Sequence, residues 1–273
     1  MGEFADDHNR PTVGVDRDPH EDEWDFYPCL VDDRPASIFL NLRYERDHDA
    51  RGGDTVAWVR IEMLEPLEHG MGSAAEATTL YPVEDRLNEA AANRGLVYVG
   101  RLRNDDAWQL TFYGSEEAGQ MLATLIEQVD LGGRTVEVGS KSDAEWSYYD
   151  EFLVPDPERR QWIHNRRLVE TLEEHGDDLA TRRRVDHWAY FPSAASRDAF
   201  VADARDQGFG LEGASSDPDL QPPFGANIKR DDSVDLDEIH DVVMSLVELA
   251  ERHGGEYDGW ETQVTTEAVA KET

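Results

Sequence analysis

Two hydrophobic periods divide this chain. Trp24 to Val31 (WDFYPCLV) and Pro35 to Tyr44 (PASIFLNLRY) are rich in aromatic and branched apolar residues. They flank the acidic turn Asp32-Asp33-Arg34, which predicts a hairpin. A polar loop, Arg46 to Asp54, follows with Gly52-Gly53 at its tip. In Thr55 to Leu64 (TVAWVRIEML) the apolar positions Val56, Trp58 and Val59 predict a strand. Val83 to Gly95 has helical spacing and ends on a glycine stop. Leu96 to Arg103 and Ala107 to Gly114 are strand-like runs joined by Asn104-Asp105-Asp106, a hairpin signal. Ser115 is the expected cap of a helix through Val129, and Arg134 to Lys141 (RTVEVGSK) reads as a further strand.

Asp156 to Asp178 reads as one helix, with Pro157 in its first turn and Gly176 at its stop. Trp162, Leu168, Val169 and Leu172 would form its apolar stripe. The earlier order of elements then repeats. Val185 to Pro192 (VDHWAYFP) is a strand, and a helix capped by Ser193 runs to Gly208. Phe209 to Ser216 and Phe224 to Asp232 are strands around a proline-rich loop. Val234 to Gly255 is a helix with Leu236, Ile239, Val243, Leu246 and Leu249 on one side, and Glu256 to Val264 (EYDGWETQV) is the last strand. The expected fold class is therefore α+β: two tandem ferredoxin-like β-α-β-β-α-β units, each an antiparallel sheet with helices on one face. The expected divisions are an acidic leader over 1–22, an N-terminal domain over 23–154, a connector helix over 155–179, a second domain over 180–265 and a loose tail over 266–273.

Charge changes the picture most. Of 273 residues, 60 are acidic and 26 basic, for a formal charge of −34. Only Lys141, Lys229 and Lys271 are lysines; the remaining bases are arginine. Such a surface suits a salt-rich cytoplasm, where the screening length falls to about 3 Å at 1 M. The sequence reads as halophilic, the alternative being an acidic mesophilic protein with a basic partner. Nucleic acid is a poor direct partner, because the acidic surface repels phosphates, and no direct nucleic-acid binding is expected. The lone Cys29 forms no intrachain disulfide and lies in a strand pattern that predicts burial. No run of about 18 apolar residues is present, so no membrane span is expected, and a cytoplasmic location follows.

Candidate chemistry is sparse. His187, between Asp186 and Trp188, is the obvious general base, but Asp186 would face the opposite side of the strand and could not orient it. A histidine serving the sheet is the preferred reading. No HxH or HExxH spacing asks for a metal, and His69 to Ala74 (HGMGSA) lacks the lysine of a phosphate loop and reads as a mobile connection. No catalytic, cofactor-binding or metal-binding residue is assigned. Arg182 to Arg184 is the one dense basic spot. It could bind an acidic partner or nucleic acid, and the simpler reading is that it neutralises Asp177, Asp178 and Asp186. Trp188, Tyr190 and Phe191 on one strand, with Tyr257 and Trp260 on another, would be neighbours in a 4-1-3-2 sheet, and the outward-facing set is a candidate protein-binding patch.

The run VDHWAYFPSAASRDAFVADARDQGFGL, followed by Tyr257-Asp258-Gly259-Trp260, resembles the B-type regulator of ribonuclease E activity over residues 180 to 265. Residues from Trp24 to about Phe152, with WDFY, PASIFLNL, LVYVGRL and WSYYDEFLVP, resemble a domain of unknown function, family 695, that often precedes it. The resemblance implies a ferredoxin-like second domain and a non-catalytic inhibitor that binds an RNA-degrading enzyme or its scaffold, without cofactor. His187, Trp188, Tyr190, Tyr257, Asp258 and Trp260 are the candidate partner-binding residues. The competing reading is an enzyme or small-ligand binder with a site between the domains. The acid excess yields one direct test. The melting temperature should rise as KCl increases from about 0.1 M to molar levels, because screening relieves self-repulsion. A flat or falling series in thermal scans contradicts it.

Overall fold

The computed structural model describes residue 18 and residues 20–265; the expected tail and all but the end of the expected leader lie outside the described residues. The chain folds as two compact units, divided between Arg159 and Arg160. The sheets of both are antiparallel.

In the first unit β1 (Trp24–Val31) and β2 (Arg34–Asn41) form the expected hairpin, Asp32 and Asp33 supplying the positive φ angles of its turn. A four-residue helix, α1 (Arg43–Arg46), leads to β3 (Thr55–Glu62). Then come α2 (Ala74–Ala92), β4 (Val97–Asn104), β5 (Ala107–Gly114), α3 (Ala118–Ile126) and β6 (Val136–Ser142). The strand order across the sheet is β1-β2-β4-β5-β3-β6.

Two local expectations fail here. Helix α2 begins at Ala74, well before Val83, because Ser73 accepts the Glu76 N–H as its cap. The helix runs through Pro82. Ser73 belongs to the run expected to be a mobile connection, which instead folds back through a Pro66–Gly72 bridge. Helix α3 starts at Ala118; Ser115 lies outside it and donates its hydroxyl to the Glu117 carboxylate instead of capping.

Helices α2 and α3 cover one face of this sheet. Leu80, Val83 and Leu87 of α2, with Leu122, Leu125 and Ile126 of α3, pack on Val59, Ile61, Leu110 and Phe112. The opposite face is also covered, which the one-sided expectation did not include. Residues 143–154, with a π-helical turn at Tyr148–Leu153, cross it. Trp146 stacks on Tyr113 at 3.9 Å between ring centroids. Tyr149 donates its hydroxyl to the Asn41 carbonyl at 2.6 Å, and Tyr27 donates to that of Leu153 at 2.7 Å. Cys29 is half-buried on β1, less than its strand pattern suggested, and burial raises its thiol pKa.

Helix α4 (Pro157–Glu174) precedes the second sheet, and its buried Val169 and Leu172 join that sheet's core. The unit continues with β7 (Arg183–Phe191), α5 (Ala194–Asp206), β8 (Gly210–Ala214), β9 (Phe224–Asp232), α6 (Leu236–Arg252) and β10 (Glu256–Thr262). The sheet order is β10-β7-β9-β8, so the first and last strands pair directly. Ser193 caps α5 and Asp235 caps α6. Phe200, Val201 and Ala204 of α5 and Leu246, Leu249 and Ala250 of α6 pack on Ala189, Phe191, Ala226 and Ile228.

The basic triplet is used internally. Arg183 bonds the buried Asp177 at 2.5 Å, Arg184 grips Asp186 at 2.6 and 2.7 Å, and Arg182 meets the Asp231 carbonyl. The other Asp177 oxygen accepts the Thr265 N–H at 2.7 Å, while Asp178 N–H reaches the Thr265 carbonyl at 2.8 Å. The chain therefore leaves β10 beside the point where it enters β7. No helix among the described residues is long and apolar enough to cross a membrane.

Gly100 sits centrally in the first sheet, between Leu40 and Thr111. A Cβ there would lie 2.5 Å from the Phe39 carbonyl oxygen and 3.1 Å from the Leu40 Cα, both backbone atoms that cannot move aside. Gly100→Ala should therefore cost about 1–3 kcal/mol, read from chemical denaturation in molar KCl.

Candidate functional site

Strand β7 carries the residues that the sequence singled out, and its pairing decides what each can do. Directly opposed residues share a sheet face, and successive residues alternate. Val185, His187, Ala189 and Phe191 point towards the helices; Arg184, Asp186, Trp188 and Tyr190 point the other way. Strand β10 is less regular. Its register shifts between Tyr257 and Gly259, so that Tyr257 opposes Ala189 and Trp260 opposes His187. This one-residue bulge puts Tyr257 and Trp260, three apart, on the same face. Gly259 carries φ +146°, a backbone state that favours glycine. The Tyr257-Asp258-Gly259-Trp260 motif is thus a bulge flanked by two inward aromatics.

Those aromatics hold a buried polar cluster. His187 is 1% exposed, and its Nδ1 lies 2.9 Å from the Tyr257 hydroxyl. Its Nε2 is buried and meets no partner. Burial holds the ring neutral, with its pKa lowered to about 3, and the nearby Arg230 adds to the shift. Burial likewise pushes the Tyr257 phenol well above its ordinary value, Asp258 contributing. We assign Tyr257 as donor to Nδ1, since the reverse would strand both the phenolic proton and the Nε2 lone pair. The ring also stands edge-on to Phe209, 5.6 Å between centroids, and Arg230 lies over the other ring at 4.1 Å.

Trp260 donates its indole N–H to Asn165 of α4 at 3.0 Å. The Asn165 amide nitrogen is 3.0 Å from His240 Nδ1 on α6, and Gln161 donates to the Asn165 oxygen at 3.1 Å. Asn165 is 1% exposed. It therefore fastens α4 to the last strand and to α6 through one side chain. Sequence reasoning passed over it, although it stands four residues before Val169, a polar residue inside the apolar stripe of an amphipathic helix.

The six candidate residues thus separate. His187, Tyr257 and Trp260 come together on the helix side. Trp188 and Tyr190 lie half-buried on the far face, and Asp258 sits in the bulge, half-buried. Beside Trp188 and Tyr190, Arg184 and Lys229 pair with Glu212, and Arg184 also with Asp186. That face combines two aromatic side chains with a compensated charge ladder. Among the described residues no three His, Cys, Asp or Glu side chains gather as metal ligands would.

These features define a two-domain α+β protein. Residues 22–154 match the family of unknown function DUF695, and residues 162–262 match the family Regulator of ribonuclease activity B; the chain carries these two domains in tandem. No curated protein matches it. Among solved structures, a candidate glycine cleavage system transcriptional repressor aligns at 8% identity and TM-score 0.24, over 77% of this chain and 98% of that one. An unknown protein from Galdieria sulphuraria aligns at 9% identity and TM-score 0.22, over 77% and 99%.

The depressed His187 pKa has a defined sign for stability. Below about pH 6.5 the unfolded chain binds a proton at this position, and the folded chain does so only near pH 3. Its neutral burial thus favours folding above pH 6.5, and that contribution is lost as pH falls towards 3. Between these limits it steepens the loss of stability by up to about 1.4 kcal/mol per pH unit. His187→Leu should flatten the urea-unfolding free energy measured against pH over that window; an unchanged slope contradicts this account.

Proposed function

We propose that the chain is a non-catalytic regulatory module of a salt-rich cytoplasm, in which the C-terminal domain binds an RNA-degrading enzyme or its scaffold. Both units are read as ferredoxin-like, since the elements from β3 to β6 and from β7 to β10 each follow the order β-α-β-β-α-β and pair β3 with β6 and β7 with β10, the β1–β2 hairpin being an addition to the first. The observation that carries the functional reading is the match of residues 162–262 to the Regulator of ribonuclease activity B family. The chemistry of His187 supports it. A base with a pKa of about 3, 1% exposed and oriented by a phenol instead of a carboxylate, is poorly suited to take protons near neutral pH.

The contact surface is read as the β7–β9 face that carries Trp188 and Tyr190. Aromatic side chains beside arginine are the residue types that dominate protein interfaces energetically. The internal pairing of Arg184, Lys229, Asp186 and Glu212 leaves little net charge there, so association would rest on the rings and tolerate salt. The intact chain, immobilised and exposed to host extract in molar KCl, should capture a nuclease or a component of its assembly, identified by mass spectrometry. Trp188→Ala should lower that recovery by about tenfold or more while leaving the fold intact by circular dichroism. His187→Gln should reduce capture only as far as it unfolds the domain. Capture of no RNA-degradation component, or equal capture by Trp188→Ala, overturns the reading.

A further inference from the structure

The first unit holds a cluster that the regulatory reading does not use. Strand β4 has a bulge of its own between Tyr98 and Gly100, which brings Tyr98, Arg101 and Arg103 onto the side of helix α2. Glu84, reaching down from α2 and 7% exposed, accepts the Tyr98 hydroxyl at 2.8 Å and the Trp108 indole N–H at 2.8 Å. It also accepts both bonds of one Arg101 nitrogen, at 3.0 and 2.9 Å. The Arg101 guanidinium lies against three rings: Trp108 at 4.4 Å, Phe39 at 4.7 Å and Tyr81 at 5.4 Å. The carboxylate and its arginine are thus fixed in place by four hydrogen bonds from three donor groups and by three aromatic faces.

Arg103, two residues along the same strand, has no such partner. Its guanidinium rests over Trp108 at 5.3 Å, and its Nε is buried without an acceptor. Among the described residues no carboxylate reaches it. Burial and the neighbouring Arg101 both disfavour its charged form. In a chain of net charge −34, a half-buried arginine left without an acid is an exception that asks for an anion. Beside it Tyr81 is 45% exposed and edge-on to Trp108, and Phe39 is half-buried next to Arg101.

We propose that this shelf, formed by Arg103 with Phe39, Tyr81 and Trp108, binds a small carboxylic acid with a flat apolar body. The carboxylate meets the terminal nitrogens of Arg103, and the body lies along Tyr81 and Phe39. The charge count selects the head group. Two arginines against one glutamate leave a single positive charge, which a monoanion neutralises and a phosphate dianion would exceed. The rings select the body, because flat aromatic or unsaturated groups stack on Tyr and Phe faces and take part in the arginine–ring contacts already present. The role of Glu84 is to hold Arg101 as part of the wall, so that Arg103 alone is available.

The test uses the intact chain in molar KCl and a ligand-observed NMR titration with 3-phenylpropionate. The neutral analogue 3-phenylpropanol and inorganic phosphate serve as comparison probes. Saturable binding is expected for the acid below about 10 mM, with the alcohol and phosphate at least about tenfold weaker. Arg103→Met, which keeps the stem and removes the charge, should weaken the acid by about tenfold or more. Because Arg103 has no ion pair to abandon, and the methionine stem keeps part of its contact over Trp108, that variant should melt close to the parent. Tyr81→Ala, at an exposed position of α2, should also weaken binding while circular dichroism shows the fold retained. Absence of saturable binding by the acid, equal binding in Arg103→Met and Tyr81→Ala, or phosphate competing as strongly as the acid, each overturns the proposal.

Discussion

A strand shows its side chains to alternate faces, and a one-residue bulge is the cheapest way to break that rule. Both units depend on this device. In β10 the bulge at Asp258 and Gly259 turns Tyr257 and Trp260 inward together. In β4 the bulge before Gly100 does the same for Tyr98 and Arg101. Without the extra residue, one member of each pair would leave the core. Trp260 would lose Asn165, or Tyr257 would lose His187, and Arg101 would be separated from Glu84. Each polar cluster therefore exists because its strand is locally out of step.

The two clusters solve the burial of polar groups differently. In the second unit the groups are neutral, so a ring nitrogen, a phenol, an indole and an amide share modest hydrogen bonds and bind α4 and α6 to the sheet. In the first unit the groups are ionised, and Glu84 needs four donor contacts to lie under a helix. A buried charge satisfied to this degree stabilises little by itself but strongly constrains where its neighbours stand. The consequence is a neutral, tightly joined helix-side core in one unit and a rigid charged platform beside an exposed ring in the other.

Strand positions were legible because alternating apolar runs and acidic turns mark them directly, as at Asp32-Asp33 and Asn104-Asp105-Asp106. The start of α2 was not legible from its apolar spacing, because its first turns are alanine and threonine and the side-chain cap of Ser73 sets the boundary. Pairing of β7 with β10 followed from the order of elements, and so did the placing of His187 within that pair. What escaped was anything that alternation alone cannot yield. The bulge in β10 turns both Tyr257 and Trp260 inward, the bulge in β4 does so for Tyr98 and Arg101, and no residue count along a regular strand reveals either. Asn165 and Glu84 escaped for a related reason. A polar residue on an amphipathic helix can be read as solvated until the strand beneath it is known to offer donors.

The pairing of Asp177 and Asp178 with Thr265 gives the second sheet a seam, where the chain enters and leaves at one point. A body closed in this way behaves as a cassette. Sequence added ahead of α4 or inserted between α4 and β7 would lengthen a connection without displacing a strand, since the sheet itself begins and ends at the seam. The attachment of the unit can then vary in length while the Trp188 face and the Asn165 clasp keep their geometry.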